Sequence, residues 1–228
     1  MVLNKTQKQE LLTKHAKFFA ADKNATNKIF QGIHYLKDGT AVVSDTHTLL
    51  RIKEVSSAVD ASSVAVERSV HTVTGADLEG VFPSNAIEDL ITWNQENQIT
   101  LDSTQIEVAT KYAKIAQLIT RELKTADKMV NIYLRGEKAY FENTDQGVVY
   151  TAPIGDTAKG QFETWTLNSD YVYNAFNLFK SARSGSIVIK FRHKNDAIVL
   201  RDEENGIDVL ILPIRTNAEV RDGCSSES

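Results

Sequence analysis

Ser44, Asp45 and His47 place the residue types of a hydrolytic or metal site within four positions of the stretch AVVSDTHTLLRI. A serine with an imidazole and an acid can form a nucleophilic centre, and Asp and His are metal ligands. Two ligands are fewer than a zinc site takes from protein, and no other histidine has a spacing that completes the set. Ser44 also lacks the glycine elbow that exposes a catalytic serine. We therefore expect a turn or a binding role, with no enzymatic activity, no metal and no cofactor; an enzyme built on these three residues remains an alternative.

The composition indicates a chain that can bury a sizeable core. Its 228 residues are 42% hydrophobic, which leaves room for two domains of ordinary size. No run approaches the roughly 20 apolar residues of a membrane span, and the start MVLNKTQKQELL has no signal-peptide core. The one cysteine, Cys224, lies in a polar tail, where it has no partner for a disulfide or a thiolate metal site. We expect a cytoplasmic protein without a membrane partner.

An internal repeat with a period of about 98 residues organises the chain. TQKQELLTKHAKF is similar to TQIEVATKYAKI, and YLKDGTAVVSDT is similar to YLRGEKAYFENT, in the same order. Both copies have the pattern of a helix followed by a hairpin, and the period is that of a whole domain. We predict two domains, residues 1–97, whose second half is shortened or irregular, and residues 98–216, followed by a flexible tail, 217–228.

The second copy has clear periodicities. Apolar residues recur at helical spacing in TQIEVATKYAKIAQLI and in DYVYNAFNLF, before which Asn168 can cap the helix. Strands are predicted in MVNIYL, KAYFEN, GVVYTAPI, FETWTL, SIVIKF, DAIVLRD and GIDVLILPIR, the last two joined at the hairpin signal Asn205-Gly206. This copy is therefore built from helices and antiparallel strands.

The first copy repeats this plan less clearly. Its opening helix is predicted to point Leu11, Leu12, His15, Ala16 and Phe19 inward and to leave Lys8, Lys14 and Lys17 available to solvent, and Asp38-Gly39 is a hairpin signal. After Val55 the signal weakens, with a short helix predicted from Thr74 and a hairpin in ITWNQENQITL. Whether this part is a fourth unit or a linker stays open.

Positive charge is concentrated in the predicted helices. Residues 5–19 hold four lysines against one glutamate, and residues 104–124 hold four basic residues against two acidic ones, although the whole chain carries −4 at pH 7. Helices of this kind, packed on one face of a sheet, would present their cations to a polyanion such as DNA. The alternative is that the lysines only make the helix faces soluble.

These features resemble the DNA sliding clamps of bacterial replication, the beta subunits of DNA polymerase III. A strand of that family ends in a motif of the form Thr-Asp-Gly-His-Arg-Leu, which is similar to SDTHTL at 44–49. The family's chain finishes on an acidic hairpin that leads into apolar residues, Pro, an apolar residue and Arg, which is similar to LILPIR at 210–215. The resemblance covers residues 5–53 and 98–215. Thr46 and Thr48 replace the motif's glycine and arginine, and two domains stand where bacterial clamps have three, as in the shorter clamps of phages, eukaryotes and archaea.

The resemblance implies an α+β DNA-clamp fold of duplicated helix-plus-antiparallel-sheet units, with the helices on one face. Twelve units form the family's ring, so four units per chain would close as a homotrimer, which we predict, whereas three would need a tetramer. Double-stranded DNA would be bound independently of sequence by Lys8, Lys14, Lys17, Lys111, Lys114, Arg121, Lys124, Lys180 and Arg183. Peptides of the DNA polymerase and clamp loader would be bound in a cleft by Thr46, His47, Leu49, Leu210, Leu212, Pro213, Ile214 and Arg215.

The function that the resemblance implies is that of a DNA polymerase processivity factor, a ring that encircles duplex DNA and holds replication proteins by short peptides. The alternative is a clamp-like interaction protein that binds the same peptides without encircling DNA.

Overall fold

The structure, a computed structural model, describes residues 2–22, 24–56, 62–65, 84–92, 97–123, 128–135, 138–145, 148–156 and 163–214. Within these ranges the chain forms helices and antiparallel strands, which confirms the predicted α+β class. The helices are α1 (Lys5–His15), α2 (Ser84–Thr92), α3 (Ser103–Glu122) and α4 (Ser169–Ser181). The strands are β1 (Gly32–Tyr35), β2 (Ala41–Ser44), β3 (Thr48–Ile52), β4 (Ser62–Ala65), β5 (Asn97–Asp102), β6 (Met129–Arg135), β7 (Lys138–Asp145), β8 (Val148–Asp156), β9 (Glu163–Asn168), β10 (Ser186–Phe191), β11 (Ile198–Asp202) and β12 (Ile207–Ile211).

Side-chain caps fix where three of the helices begin. Asn4 and Asp102 each accept the N–H of the glutamine three positions on, and that glutamine bonds back to the cap's N–H, which is a capping box. The two boxes lie at equivalent places in the repeat. Asn168 caps α4 by accepting the N–H of Asp170, as predicted. These caps satisfy N–H groups in the first turns of α1, α3 and α4.

The strands form two sheets whose order reflects the repeat. The large sheet has the order β4-β1-β2-β3-β12-β11-β10-β5, and the small sheet has the order β8-β7-β6-β9. The order β4-β1-β2-β3 in the first copy is the same as β9-β6-β7-β8 in the second. β3 pairs antiparallel with β12, from Thr48 opposite Ile211 to Ile52 opposite Ile207. The two halves of the chain therefore share one continuous sheet.

Two predicted hairpins are confirmed at glycines with positive φ. Gly39 lies between β1 and β2 with φ 81°, and a Cβ there would approach the carbonyl oxygen of Ser56 to 2.4 Å. Gly206 lies between β11 and β12 with φ 65°. Glycine adopts this region without steric cost, so both positions suit their residue.

One apolar core joins both sheets to three helices. It contains Leu12 of α1, Phe176 of α4, Ala113 of α3, Leu50 of the large sheet and Trp165 of the small sheet. The predicted inward residues of the first helix and its extension, Leu11, Leu12, His15, Ala16 and Phe19, are all buried. Both α1 and α3 pack against α4. The three helices thus form one layer, which we call the helical layer.

Helix α2 lies on the other face of the large sheet. Ile87 and Ile91 pack with Val42 and Leu210 in a separate apolar cluster. The neighbours of these two sheet residues, such as Val43 and Val209, belong to the main core, and alternate residues of a strand face opposite sides. Because α2 covers this outer face, it is not a fourth member of the helical layer.

The prediction of a hairpin in ITWNQENQITL is wrong. Ile91 and Thr92 end helix α2, and Asn97–Asp102 is a strand that pairs with β10. The helix predicted from Thr74 lies outside the described residues.

Candidate functional site

The residues Ser44 to Thr48 form the turn between β2 and β3, and their polar groups are used inside it. The Asp45 carboxylate accepts the N–H of His47 (2.9 Å), the N–H of Thr48 (2.6 Å) and the Thr48 hydroxyl (3.1 Å). The Ser44 hydroxyl donates to the Thr48 carbonyl oxygen (2.8 Å) and accepts the Thr46 N–H (3.1 Å). Thr46 has φ 81° at the place where the clamp motif has glycine. The Ser44 hydroxyl donates its proton to a backbone carbonyl oxygen, so the hydrogen bonds of this serine stabilise the turn.

The turn packs on the first turn of α4 through Tyr171. The His47 and Tyr171 rings stack with their centroids 6.4 Å apart and an interplanar angle of 29°. Burial, then the charge of Asp45 and its hydrogen bond with the Tyr171 hydroxyl, raise the pKa of Tyr171. The phenol therefore stays neutral and holds the turn. Sequence reasoning missed Tyr171, because no local spacing relates α4 to this distant hairpin.

The chain beyond β12 runs beside this turn. The Leu212 N–H donates to the His47 carbonyl oxygen (2.8 Å), and the Ile214 N–H donates to that of Thr166 (2.8 Å). The Leu212 side chain is 42% exposed. The predicted peptide-binding residues brought together here are Thr46, His47, Leu212, Pro213 and Ile214. Arg215 lies outside the described residues.

Leu49 and Leu210, also predicted to line the peptide cleft, are covered. Leu49 of β3 lies opposite Leu210 of β12, and each is two residues away from His47 and Leu212, respectively. Their exposed fractions are only 7% and 5%, because they pack in the cluster that α2 closes. The expectation of partly exposed side chains at these two positions is therefore wrong.

A polar stripe runs along α4 on the helical layer. Its members recur at helical spacing and are Asp170, Tyr173, Asn174, Asn177 and Ser181. Cations of the neighbouring helices reach this stripe from both sides. The Lys14 Nζ of α1 lies 3.5 Å from the Ser181 hydroxyl, and the Lys114 Nζ of α3 lies 4.5 Å from the centre of the Tyr173 ring.

Most of the predicted DNA-binding cations are available to solvent. Those with exposed side chains are Lys14, Lys111, Arg121, Lys180 and Arg183, and those that are half-buried are Lys17 and Lys114. The Lys17 Nζ lies 5.5 Å from the centre of the Phe18 ring, and the Lys114 Nζ also donates to the Gln117 side chain (2.9 Å). Lys124 lies outside the described residues.

Lys8 is an exception, and the prediction that it faces solvent is wrong. Its side chain is buried, and its Nζ donates to the Lys53 carbonyl oxygen (3.1 Å) with the Glu54 carboxylate 3.7 Å away. Lys8 therefore ties α1 to the end of β3 and has no free ammonium for a phosphate.

Asp170 introduces an acid that the sequence analysis did not assign to the site. Its carboxylate accepts hydrogen bonds from Gln117 (2.7 Å), Arg121 (2.8 Å) and Lys128 (3.0 Å). Burial alone would raise the pKa of Asp170, but the bonds from Lys128, Gln117 and Arg121 outweigh burial and hold the pKa below its usual value. Asp170 thus joins α4 to α3 and pairs with Arg121 of α3 and with Lys128, which directly precedes β6.

A pocket of about 670 Å³ lies beside the α4 stripe, between α3 and the segment after α1. Asn174 and Asn177 of α4 line it together with Lys114 and Arg121 of α3, and Phe18 closes the other side. Amide donors and cations line the pocket together with the carboxylates of Asp22, Asp45 and Asp170, so it is a polar pocket of mixed charge.

Neither a metal cluster nor a membrane span is found in the part of the chain that the structure describes. No three His, Cys, Asp or Glu side chains of these ranges are grouped so that they could hold an ion. None of the described helices combines the length and the apolar character needed to cross a membrane.

Solved structures similar to this chain are bacterial DNA sliding clamps. The beta subunit of a Streptococcus pyogenes DNA polymerase has a TM-score of 0.69 and 18% identity, and the alignment covers 95% of this chain and 66% of that one. The Bacillus subtilis DNA polymerase sliding clamp has 0.68 and 16%, covering 92% and 63%. The Streptococcus pneumoniae DNA polymerase III beta chain has 0.68 and 19%, covering 95% and 64%. No protein-family model matches the sequence, and no curated protein is similar to it.

The chain therefore has the DNA-clamp fold, as the resemblance implied. It spans less than two thirds of the length of these clamp subunits.

Proposed function

We propose that this chain is a processivity factor of the clamp type, which encircles duplex DNA and holds replication proteins by short peptides. One observation carries the proposal: cations of α1 and α3 flank the polar stripe of α4 in a chain with the fold of DNA sliding clamps. Lysine and arginine pair with phosphates, and asparagine and tyrosine add hydrogen bonds that read no sequence. Duplex DNA bound by its backbone is the ligand that this chemistry suits.

The proposed mechanism is topological and needs no catalytic residue. Lysine–phosphate contacts exchange without a preferred register, so a ring can slide along the duplex while it cannot leave sideways. A polymerase bound to the ring would stay at a high effective concentration near the primer end.

The surface formed by the turn at 44–48 and the chain beyond β12 is the proposed peptide site. Leu212, Pro213 and Ile214 offer apolar surface next to the exposed His47. An apolar anchor of a peptide would bury this surface, and such anchors supply most of the binding energy of small interfaces. The polymerase and the clamp loader are the partners we propose for this site, with Arg215 as a further contact.

The number of copies in the ring follows from the helical layer. The described residues contribute α1, α3 and α4 to the layer, while α2 lies on the other face. The trimer prediction assumed four units per chain, so it loses its support from these ranges. Three helices per chain favour a tetramer for the twelve-unit ring that the resemblance implies.

The strand order favours a second candidate, a clamp-like interaction protein that does not close a ring. Strand β8 occupies in the second copy the place that β3 occupies in the first, and β3 pairs with β12 of the same chain. If a ring closed by the same pairing, β8 would have to pair with β12 of another copy. That β12 is already paired with its own β3, so this contact cannot form. Among the described strands, only β4, β5, β8 and β9 keep an open edge, and a ring would have to close through these.

Charge reversal on the helical layer tests the DNA interface. We choose Lys14→Glu, Lys111→Glu and Lys180→Glu together, because these side chains are exposed and the triple variant should keep its fold. We expect the affinity for a 30-base-pair duplex of random sequence to fall at least about 100-fold, since each reversal replaces a phosphate contact by repulsion. Fluorescence anisotropy at several salt concentrations measures the loss.

The matched control reverses three cations of the sheets, Arg135, Lys138 and Lys190. It changes the net charge by the same amount on elements outside the helical layer. We expect the control to retain most of the affinity. Equal losses in the two triple variants would contradict the assignment of the interface to the helices.

A further inference from the structure

Helix α2 covers an apolar surface of the large sheet, which we call the groove, and Leu212 at one end of it is exposed. Leu49 and Leu210 lie beneath Ile87 and Ile91 of α2. Just beyond the end of β12, Leu212 is 42% exposed. It lies two residues after Leu210, so its side chain continues the apolar face that α2 covers, whereas the His47 ring stacks on Tyr171 of the helical layer.

The contacts of α2 define what the groove binds. Ile87 is 8% and Ile91 0% exposed, and they lie one helical turn apart. Glu88, between them in sequence, pairs its carboxylate with the guanidinium of Arg51 on β3. Leu90, on the same helix, is 39% exposed and faces away. The groove therefore holds two branched aliphatic side chains and one carboxylate.

The attachment of α2 is of a kind that can be exchanged. An isolated helix of nine residues is unstable in water, so α2 depends on this docking for its structure. Arg51 would not become an unpaired buried charge without Glu88, because its Nε and Nη2 atoms lie 2.9 and 2.8 Å from the Asp208 carboxylate. Removing α2 therefore costs little free energy in polar interactions. The main cost is the free energy of exposing apolar surface to water.

A partner segment with the same chemistry would cover that surface again. We propose that α2 is a resident ligand of the groove, and that an acidic amphipathic helical segment of a partner protein takes its place. This segment carries two aliphatic side chains one turn apart and a carboxylate beside the first, as Ile87, Glu88 and Ile91 do. The proposal rests on the proposed function in that the partners are proteins recruited to the clamp. α2 then limits access to the surface beneath it, while the exposed Leu212 beside that surface remains free for initial contact.

A thiol placed under α2 reports whether the helix leaves its site. The chain carries Cys224→Ser with Val199→Cys, since Val199 is 1% exposed and lies in the cluster that α2 closes. Glu88→Lys then replaces the attraction to Arg51 by repulsion. The control Asp89→Lys makes the same charge change at an exposed position of the same helix.

We expect the thiol to react with an aromatic disulfide reagent roughly tenfold faster in the Glu88→Lys chain than in the Asp89→Lys chain, as the loss of a charge-assisted contact implies. Equal, slow rates in both chains would overturn the proposal, because α2 would then be a fixed part of the core. Leu49→Cys is a second reporter in case Val199→Cys does not fold.

A peptide with the sequence of α2, SNAIEDLIT, is the ligand probe. We expect the fluorescently labelled peptide to bind the Glu88→Lys chain at least about tenfold more tightly than the unchanged chain or the Asp89→Lys chain. Equal binding to all three chains, or binding to none, would overturn the proposal. Duplex DNA binding, measured on the same samples, reports separately on the proposed function, because the surface that α2 covers and the helical layer lie on opposite faces of the large sheet.

Discussion

His15 is a buried ionisable side chain with no exposed surface. In the part of the chain that the structure describes, neither of its ring nitrogens has a hydrogen-bond partner. Burial, followed by the charges of Lys14 and Lys17, lowers its pKa from 6.5 to about 4. The folded chain thus keeps His15 neutral at a pH where the unfolded chain would protonate it.

The free energy of unfolding should therefore depend on pH through His15. Its contribution is fully present above pH 6.5 and is lost as the pH falls towards 4, because only the unfolded state binds the proton in that window. The loss amounts to about 3 kcal/mol. We expect His15→Phe to remove this part of the slope in urea unfolding at pH 7, 6, 5 and 4.

The control for this prediction is His193→Phe, at an exposed histidine. This variant should keep the slope of the unchanged chain. If His15→Phe and the unchanged chain lost stability in parallel between pH 6.5 and 4, His15 would not be the group that titrates.

Single residues show how far the sequence alone predicts this site. Asp45, Thr46 and His47 were expected in a turn or binding role, and the hydrogen bonds of Asp45 show the turn directly. Lys8 was assigned to solvent by helical periodicity, but its long side chain reaches the Lys53 carbonyl oxygen. Periodicity gives the direction of the Cα–Cβ bond, while the end of a lysine side chain is placed by tertiary contacts, which a sequence does not display.

At the scale of elements, α3 and α4 are joined at Asp170, which binds Gln117, Arg121 and Lys128. The same bonds neutralise two cations on the surface proposed to meet DNA. Arg121 is half exposed, so each ion pair adds at most about 1 kcal/mol to stability. Asp170 therefore adds little to the stability of the fold, and its main effect is to lower the positive potential of the helical layer.

Asp170→Asn should tighten the binding of duplex DNA. The substitution frees Arg121 and Lys128 for phosphates, and the slope of log affinity against log salt should steepen by about two, one for each cation. Anisotropy titrations between 50 and 300 mM salt measure it. Asp156→Asn, at an exposed position in the small sheet, is the control and should leave the slope unchanged. A slope that stays the same in Asp170→Asn would show that Arg121 and Lys128 do not meet the DNA.

The elements were predictable wherever local signals agree with tertiary packing. The predicted strands of the second copy and the caps of α4 are present, because alternation, turn residues and Asn168 all favour the same structure. Helix α2 was missed because Ile91, Thr92 and Trp93 have β-branched or aromatic side chains that favour a strand. The spacing of Ile87 and Ile91 is the sequence signal for this helix. Two such residues stabilise a helix only when an apolar surface, here that of the sheet, is available to cover them.

At the scale of the whole molecule, the described residues combine a continuous large sheet with one layer of three helices. The sequence repeat predicted the duplicated plan, and the strand order shows the same repeat. The number of helices in the layer was not predictable, since the face of the sheet that a short amphipathic helix covers depends on which strands pair. That number decides how many copies a ring requires.

The most direct test of the account is whether the chain stays on DNA by encircling it. The protein is incubated with a nicked circular duplex, separated from free protein by gel filtration in high salt, and compared with the same DNA linearised by a restriction enzyme. We expect the chain to elute with the circle and to be lost from the linear form, because a ring slides off free ends. Equal retention on both forms, or on neither, would contradict the central claim that this clamp fold closes around DNA.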